Sequence, residues 1–131
     1  MSLELGIKGS ASCTVTKDLT AKALRSGGLD VFATPIMIAL MEEASLVSVR
    51  PYLEPGMDTV GTHLDVSHLS PTPVGMKVTA ESELIEIDRR RLVFAVKAYD
   101  ETGPIGGGVH ERFVIDTDRF LSRAEAKKGG R

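Results

Sequence analysis

Three residue types in the sequence could carry acid–base chemistry, and each falls in or beside a predicted helix or strand. Glu42 interrupts the apolar pattern of a long helical segment. A carboxylate at such a position is costly unless it is hydrogen-bonded or paired. His68 is in phase with the apolar residues of a strand, so we expect it to face the same interior. A carboxylate and an imidazole in one interior are typical of a general acid–base pair.

Each of these residues also has an ordinary structural interpretation. A lone inward histidine is more often a satisfied core residue, and a glutamate such as Glu42 can belong to an ion network. Thr34 is a good N-cap and needs no further role for that reason. However, a helix amino terminus offers free amides and a positive dipole end, which suit an oxyanion. Thr34 is therefore the third candidate, roughly 12 Å of helical rise from Glu42.

The element that must position Thr34 and Glu42 is a helix of about 15 residues. The run from Ile36 to Val49 contains neither glycine nor proline, and Pro51 ends it. It is apolar on nearly every side, which predicts a helix that other elements wrap around. Glu43 falls on the one polar side, where we expect it to be exposed or paired.

After this helix the pattern changes to period two, which indicates strands. In the first of them we expect an inner face of Val60, Thr62, Leu64, Val66 and His68, and an outer face of Gly61, His63, Asp65 and Ser67. A phase slip at Leu84 predicts a bulge in the next strand. Further strands are predicted at 11–16, 92–98 and 109–116. The order predicts an α+β fold, a curved antiparallel five-stranded sheet wrapped around one long central helix.

Composition limits the possible classes of protein. The chain has 131 residues, 26% charged and 42% hydrophobic, with a formal net charge of -2. We therefore expect a single domain over 1–131, with a frayed or disordered tail at 121–131, and no nucleic-acid or membrane partner. The single cysteine, Cys13, permits no internal disulfide and favours a cytoplasmic location. Cofactor motifs are missing, and one cysteine with three dispersed histidines predicts no metal site.

Two further groups of residues leave alternatives open. His63 and Asp65 could form a rival pair, although an outer-face or subunit-contact role suits them better. In the strand after the glycine run 106–108, alternation puts His110 and Arg112 on one face and Glu111 on the other. Arg112 could pair with Glu42, or it could bind an anionic ligand.

Several separated motifs resemble the fluoroacetyl-CoA thioesterase group, whose members have the hotdog fold. These motifs are VFAT at 31–34, LME at 40–42, PYLEPG at 51–56, the strand at 61–68 with TP at 72–73, and GVHER at 108–112. The resemblance extends over roughly residues 31–120. It implies a catalytic set of Thr34, Glu42 and His68, with Gly61 near the thioester carbonyl and Arg112 near the acyl site.

The resemblance also implies a homodimer, with a dimer of dimers as a further assembly, and active sites along the subunit interface. The segment 26–30 lacks the aromatic lid expected of the fluoroacetyl-specific enzyme. We therefore predict thioester hydrolysis but do not assign the acyl group that is cleaved. The expected substrate is a short-chain acyl-CoA, and no cofactor is expected beyond the CoA of the substrate. The alternative is a non-catalytic protein that binds acyl-CoA or another small ligand.

Overall fold

The computed structural model describes residues 2–129 and contains one antiparallel sheet of five strands. The strands are β1 (Lys8–Thr14), β2 (Met57–His68), β3 (Lys77–Asp88), β4 (Arg91–Asp100) and β5 (Gly103–Asp116). Their order across the sheet is β1-β3-β4-β5-β2. The long helix α1 (Thr34–Val49) packs on the inner face of this sheet, as the period-two and helical patterns predicted.

Helix α1 starts one residue earlier than its sequence suggested. Ala33 is the N-cap, with an extended backbone at φ -78° and ψ 135° and no side-chain cap, so Thr34 is the first helical residue. The prediction of Thr34 as N-cap was wrong because its hydroxyl is hydrogen-bonded to a distant side chain instead. Glu43 is exposed, as predicted. Arg50, its predicted neighbour, pairs with Asp58.

Strand β2 contains a bulge that the sequence pattern did not predict. Gly61 lies opposite Arg112 on β5 and His63 lies opposite Glu111, so Thr62 is an extra residue. The alternation reverses there, and Gly61 shares the inner face with His68. The predicted outer-face position of Gly61 was therefore wrong, while His63 faces outward with Glu111 as expected.

Strand β5 is longer than predicted because it starts at Gly103. The glycine run 106–108 lies within it and pairs with both β4 and β2. A Cβ on Gly106 would meet the Ser67 carbonyl, and one on Gly108 would meet the Asp65 carbonyl. The glycines permit close packing of strands. The predicted bulge in β3 is also present, between Leu84 and Glu86.

Short contacts attach the amino end of α1 to the chain that follows β2. Phe32 donates its backbone N–H to the Thr72 carbonyl at 2.9 Å, and Val31 forms an isolated bridge with Pro73. The buried hydroxyl of Thr72 donates to Asp100 at 2.8 Å. These bonds fix where α1 begins relative to the end of β2.

The carboxyl-terminal segment is helical where the structure describes it. Helix α2 (Thr117–Ala126) is capped by Asp116, which accepts from the backbone of Arg119 at 3.1 Å. Of the expected tail at 121–131, the last two positions lie outside the described residues. Within residues 2–129, none of the helices combines the length and apolarity needed to cross a membrane.

Gly9 allows β1 to lie against α1, because a Cβ there would meet the Ala44 carbonyl and approach Ser48 Cβ to 2.7 Å. Gly9→Ala is expected to lower the free energy of unfolding by about 2 kcal/mol through overpacking. Urea denaturation measures the change. Gly28→Ala is the matched control, since nothing lies within 4 Å of its added Cβ. Equal stabilities of the two variants would contradict this account of the β1–α1 contact.

Candidate active site

A hydrogen bond joins the first turn of α1 to the end of β2. Thr34 Oγ1 lies 2.7 Å from His68 Nδ1, although the two residues are 34 positions apart. Thr34 is exposed and His68 is half-buried. His68 faces inward as its strand phase predicted, and its ring meets the edge of Phe32 at a centroid distance of 6.3 Å. The pair is within reach of a molecule bound beside the helix.

The second ring nitrogen of His68 is placed differently. Nε2 is buried and has no hydrogen-bond partner within residues 2–129. Burial lowers the pKa of His68, and the nearby backbone of Ser70 opposes this in part. The ring is therefore neutral at physiological pH. A neutral imidazole with one engaged and one unengaged nitrogen can accept or release a proton at a bound substrate.

Glu42 is less buried than its sequence position suggested. Its side chain is 39% exposed, and Oε2 lies 3.6 Å from Arg112 Nη1. Of the two alternatives for Arg112, pairing with Glu42 or binding an anionic ligand, the structure shows the first. The expectation of a buried carboxylate was wrong because the helix face carrying Glu42 points towards the edge strand β2.

Gly61 supplies the space that Glu42 occupies. A Cβ at this position would meet Glu42 Oε2, and it would lie 3.2 Å from His110 Cε1 and 3.4 Å from Arg112 Nη1. Any larger residue would therefore displace the carboxylate or its partner. The structure brings Gly61, Arg112 and Glu42 together.

Arg112 is held by a residue that the sequence analysis missed. The residue is buried, at 5% exposure. Its Nε donates to Thr59 Oγ1 at 2.8 Å and its Nη2 to the Thr59 carbonyl at 2.9 Å. The sequence feature that could have indicated Thr59 is strand alternation, because Thr59 lies two residues before Gly61 and so shares its face. His110, predicted to lie beside Arg112, does so: its Nε2 is 3.2 Å from Arg112 Nη1.

The candidate residues thus form two groups on the inner side of β2. One group is Thr34 with His68 and the other is Glu42 with Gly61 and Arg112. The groups are separated along α1 by eight residues, about 12 Å of helical rise. A substrate or a second protein chain would have to bridge them, because no hydrogen bond within the described residues does so.

The best-defined cavity in the described residues lies away from these groups. A cavity of about 470 Å³ is on the opposite face of the sheet, where it is lined by Lys8, Ser10, Glu81, Glu83 and Lys97. That cavity has charged walls and no contact with Thr34 or Glu42. The part of the chain that the structure describes also has no cluster of three or more His, Cys, Asp or Glu side chains suited to a metal ion.

Solved structures with this architecture include a hot-dog-like protein and thioesterases. A hot-dog-like protein from Thermanaerovibrio acidaminovorans is 27% identical and superposes with a TM-score of 0.87, covering 97% of this chain and 94% of its own. A structure of a fluoroacetyl-CoA thioesterase is 34% identical with a TM-score of 0.91, covering 97% and 98%. A variant of that enzyme in complex with acetyl-CoA gives 0.90, at 34% identity and 95% and 98% coverage. The predicted hotdog fold is confirmed.

Sequence comparison assigns the family. The family described as fluoroacetyl-CoA-specific thioesterase matches residues 15–118. The fluoroacetyl-CoA thioesterase of Streptantibioticus cattleyicolor is 43% identical over 98 residues, which is 75% of this chain and 70% of that protein. The chain belongs to the fluoroacetyl-CoA-specific thioesterase family. The predicted enzyme class, an acyl-CoA thioesterase, is confirmed at this level.

The buried histidine beside Arg112 makes stability depend on pH. Burial is the main reason why the pKa of His110 is lowered, and the charge of Arg112 adds to it. The His63 carbonyl, Glu42 and Glu111 oppose this shift in part. Near pH 6.5 the His110 imidazole therefore binds a proton in the unfolded chain but not in the native state, so acid favours unfolding.

We expect the free energy of unfolding to be nearly constant between about pH 7.5 and 8 and to fall as the pH is lowered from about 7 towards 5.5. Urea titrations at each pH measure it. His110→Gln, which cannot titrate, is expected to show a shallower fall, with the remainder due to His68, whose pKa is lowered in the same direction. The same slope in the variant and the wild type would contradict the assignment to His110.

Proposed function

We propose that the protein hydrolyses a short-chain acyl-CoA thioester to a carboxylate and free CoA, using Thr34, Glu42 and His68. The observation that carries the proposal is the 2.7 Å contact between Thr34 and His68 at the amino end of the helix that also bears Glu42. The acetyl-CoA complex of the related thioesterase supports a CoA ester as the ligand.

In this proposal the thioester carbonyl lies at the amino end of α1. The helix dipole and the Thr34 hydroxyl polarise the carbonyl oxygen and stabilise the oxyanion of the tetrahedral intermediate. Gly61 leaves room for the acyl group beside Glu42, and Arg112 binds near that group. Neutral His68 holds its Nδ1 at the Thr34 hydroxyl and can carry a proton to the departing sulfur.

Two routes satisfy the chemistry. Glu42 can take a proton from water while the water oxygen attacks the carbonyl carbon, after which the C–S bond breaks and the thiolate is protonated. Alternatively, the Glu42 carboxylate attacks the carbonyl carbon and expels the thiolate, and water hydrolyses the resulting anhydride. An acyl mass adduct on the peptide containing Glu42 in acid-quenched reactions would identify the second route.

Both routes need the Glu42 carboxylate. Glu42→Gln is expected to reduce kcat for free-thiol release from short acyl-CoAs by at least about 100-fold, because the amide is neither a base nor a nucleophile. A thiol-reactive chromophore follows the release continuously. The panel would include acetyl-CoA, propionyl-CoA and fluoroacetyl-CoA.

Glu43→Gln is the matched control for this experiment. It removes an exposed carboxylate from the next position of the same helix and should retain wild-type turnover. Equal rates for Glu42→Gln and the wild type would refute the role of Glu42. Tight binding of the CoA esters by wild type without turnover would instead identify a non-catalytic binding protein.

The proposed active unit is a homodimer, with the two groups of site residues enclosed at the subunit interface. Strand β2, 12 residues long, lies at the sheet edge, so one of its sides has no partner strand within residues 2–129. Apolar side chains remain exposed nearby, Leu64 at 37% and Val47 at 42%. An isologous contact of two such edges would bury them and enclose the site.

Sedimentation velocity at micromolar concentration is expected to give a species of twice the mass of the chain, because two edge strands with exposed apolar neighbours associate. A dilution series measures the dissociation. A monomer at micromolar concentration would refute the dimeric site. The predicted cytoplasmic location rests on the single cysteine and stays a prediction.

A further inference from the structure

His110 is a polar side chain in the apolar core. It lies on the inner face of β5 with 0% exposure, and its ring packs near that of Phe94 with centroids 6.4 Å apart. An imidazole in such a place is costly unless both ring nitrogens have hydrogen-bond partners. Both do, and the chemical nature of the partners identifies which nitrogen carries the proton.

Nδ1 of His110 lies 2.9 Å from the backbone carbonyl of His63, which can only accept. Nδ1 therefore carries the proton. Nε2 lies 3.2 Å from Arg112 Nη1, which can only donate. Nε2 therefore accepts, and the ring is neutral in the Nδ1–H tautomer. This agrees with the direction in which burial moves the pKa of His110.

This tautomer determines how the Arg112 guanidinium is oriented. Thr59 holds Nε and Nη2 on one side at 2.8 and 2.9 Å, and His110 holds Nη1 on the other. The remaining direction of Nη1 is towards Glu42 Oε2 at 3.6 Å. Without an acceptor at His110, the planar guanidinium would keep its two bonds to Thr59 but could tilt about them, which moves Nη1 away from the carboxylate.

We propose that His110 is a positioning residue of the active site, which orients Arg112 and through it the Glu42 carboxylate. The inference rests on the proposed function, because it assumes that Glu42 does chemistry. Neither carboxylate oxygen of Glu42 accepts a side-chain hydrogen bond within residues 2–129, and Oε2 is the one paired with Arg112 at 3.6 Å, which leaves Oε1 for water or substrate. His110 thereby selects which carboxylate oxygen reacts.

Two substitutions separate a positioning role from a purely structural one. His110→Leu removes the acceptor, whereas His110→Gln offers a carbonyl oxygen at a similar distance from the backbone. We expect kcat to fall about tenfold or more in His110→Leu and KM to change less than twofold, since misplacement of a reacting group slows chemistry more than binding. His110→Gln should restore kcat to within about threefold of wild type.

A structural role predicts a different pattern. Both variants would then lose activity in proportion to their loss of thermal stability, and that result would overturn the proposal. An unchanged kcat in His110→Leu would overturn it as well. Glu42→Gln is assayed in parallel. If it loses activity while His110→Leu keeps it, only the positioning role fails, whereas a fully active Glu42→Gln refutes the proposed function itself.

A measurement on the wild-type protein makes the test independent of whether His110→Leu folds. Nitrogen-15 NMR of the imidazole rings distinguishes the two neutral tautomers from the charged ring, and His110→Gln assigns the signal. We expect the His110 ring to be neutral and protonated at Nδ1 at about pH 7. A signal from an Nε2–H tautomer or from a charged ring would overturn the proposal.

Discussion

The arrangement of both groups of site residues depends on one extra residue in β2. Gly61 and His68 are seven positions apart, and a regular strand would put them on opposite faces. The bulge at Thr62 reverses the alternation, so both face α1. The same irregularity lies beside the His63 carbonyl, which accepts from Nδ1 of His110 at 2.9 Å. The bulge thus provides the space beside Gly61 that Glu42 occupies. It also lies next to the carbonyl that fixes His110, the first member of the network of His110 and Arg112.

That network costs stability as well as supplying hydrogen bonds. Burying a guanidinium carries a desolvation penalty of several kcal/mol, and Arg112 is 5% exposed. Burial also lowers the pKa of Arg112, which the carboxylate of Glu42 opposes. Two bonds to Thr59 and one to His110 offset the penalty in part. A well-packed apolar group would stabilise the fold equally well or better, so the charge is better explained by the carboxylate that it faces.

The sequence predicted those features that depend on local periodicity. Thr34 to Val49 is helical, Glu42 and Glu43 differ in exposure, and His68 faces inward. It could not predict features that depend on distant contacts. The Thr34 hydroxyl bonds to His68, 34 residues away, instead of capping the helix. The bulge at Thr62 is hidden because the alternation of apolar and polar residues through it appears regular, and the glycine at position 61 is its only trace in the sequence. Strand β5 begins at Gly103 despite its glycines, since pairing on both sides outweighs their low strand propensity.

The position of β2 in the sheet links these contacts to assembly. This strand provides Gly61, His68 and the carbonyl that fixes His110, yet its outer backbone edge has no partner strand within the described residues. A strand paired on one side opens more easily than one paired on both. A partner strand added at this edge would therefore hold the bulge, and with it both groups of site residues, in a single geometry. Since catalysis requires reacting groups to be held to within a fraction of an ångström, pairing at β2 would contribute to activity as well as to the enclosure of the substrate.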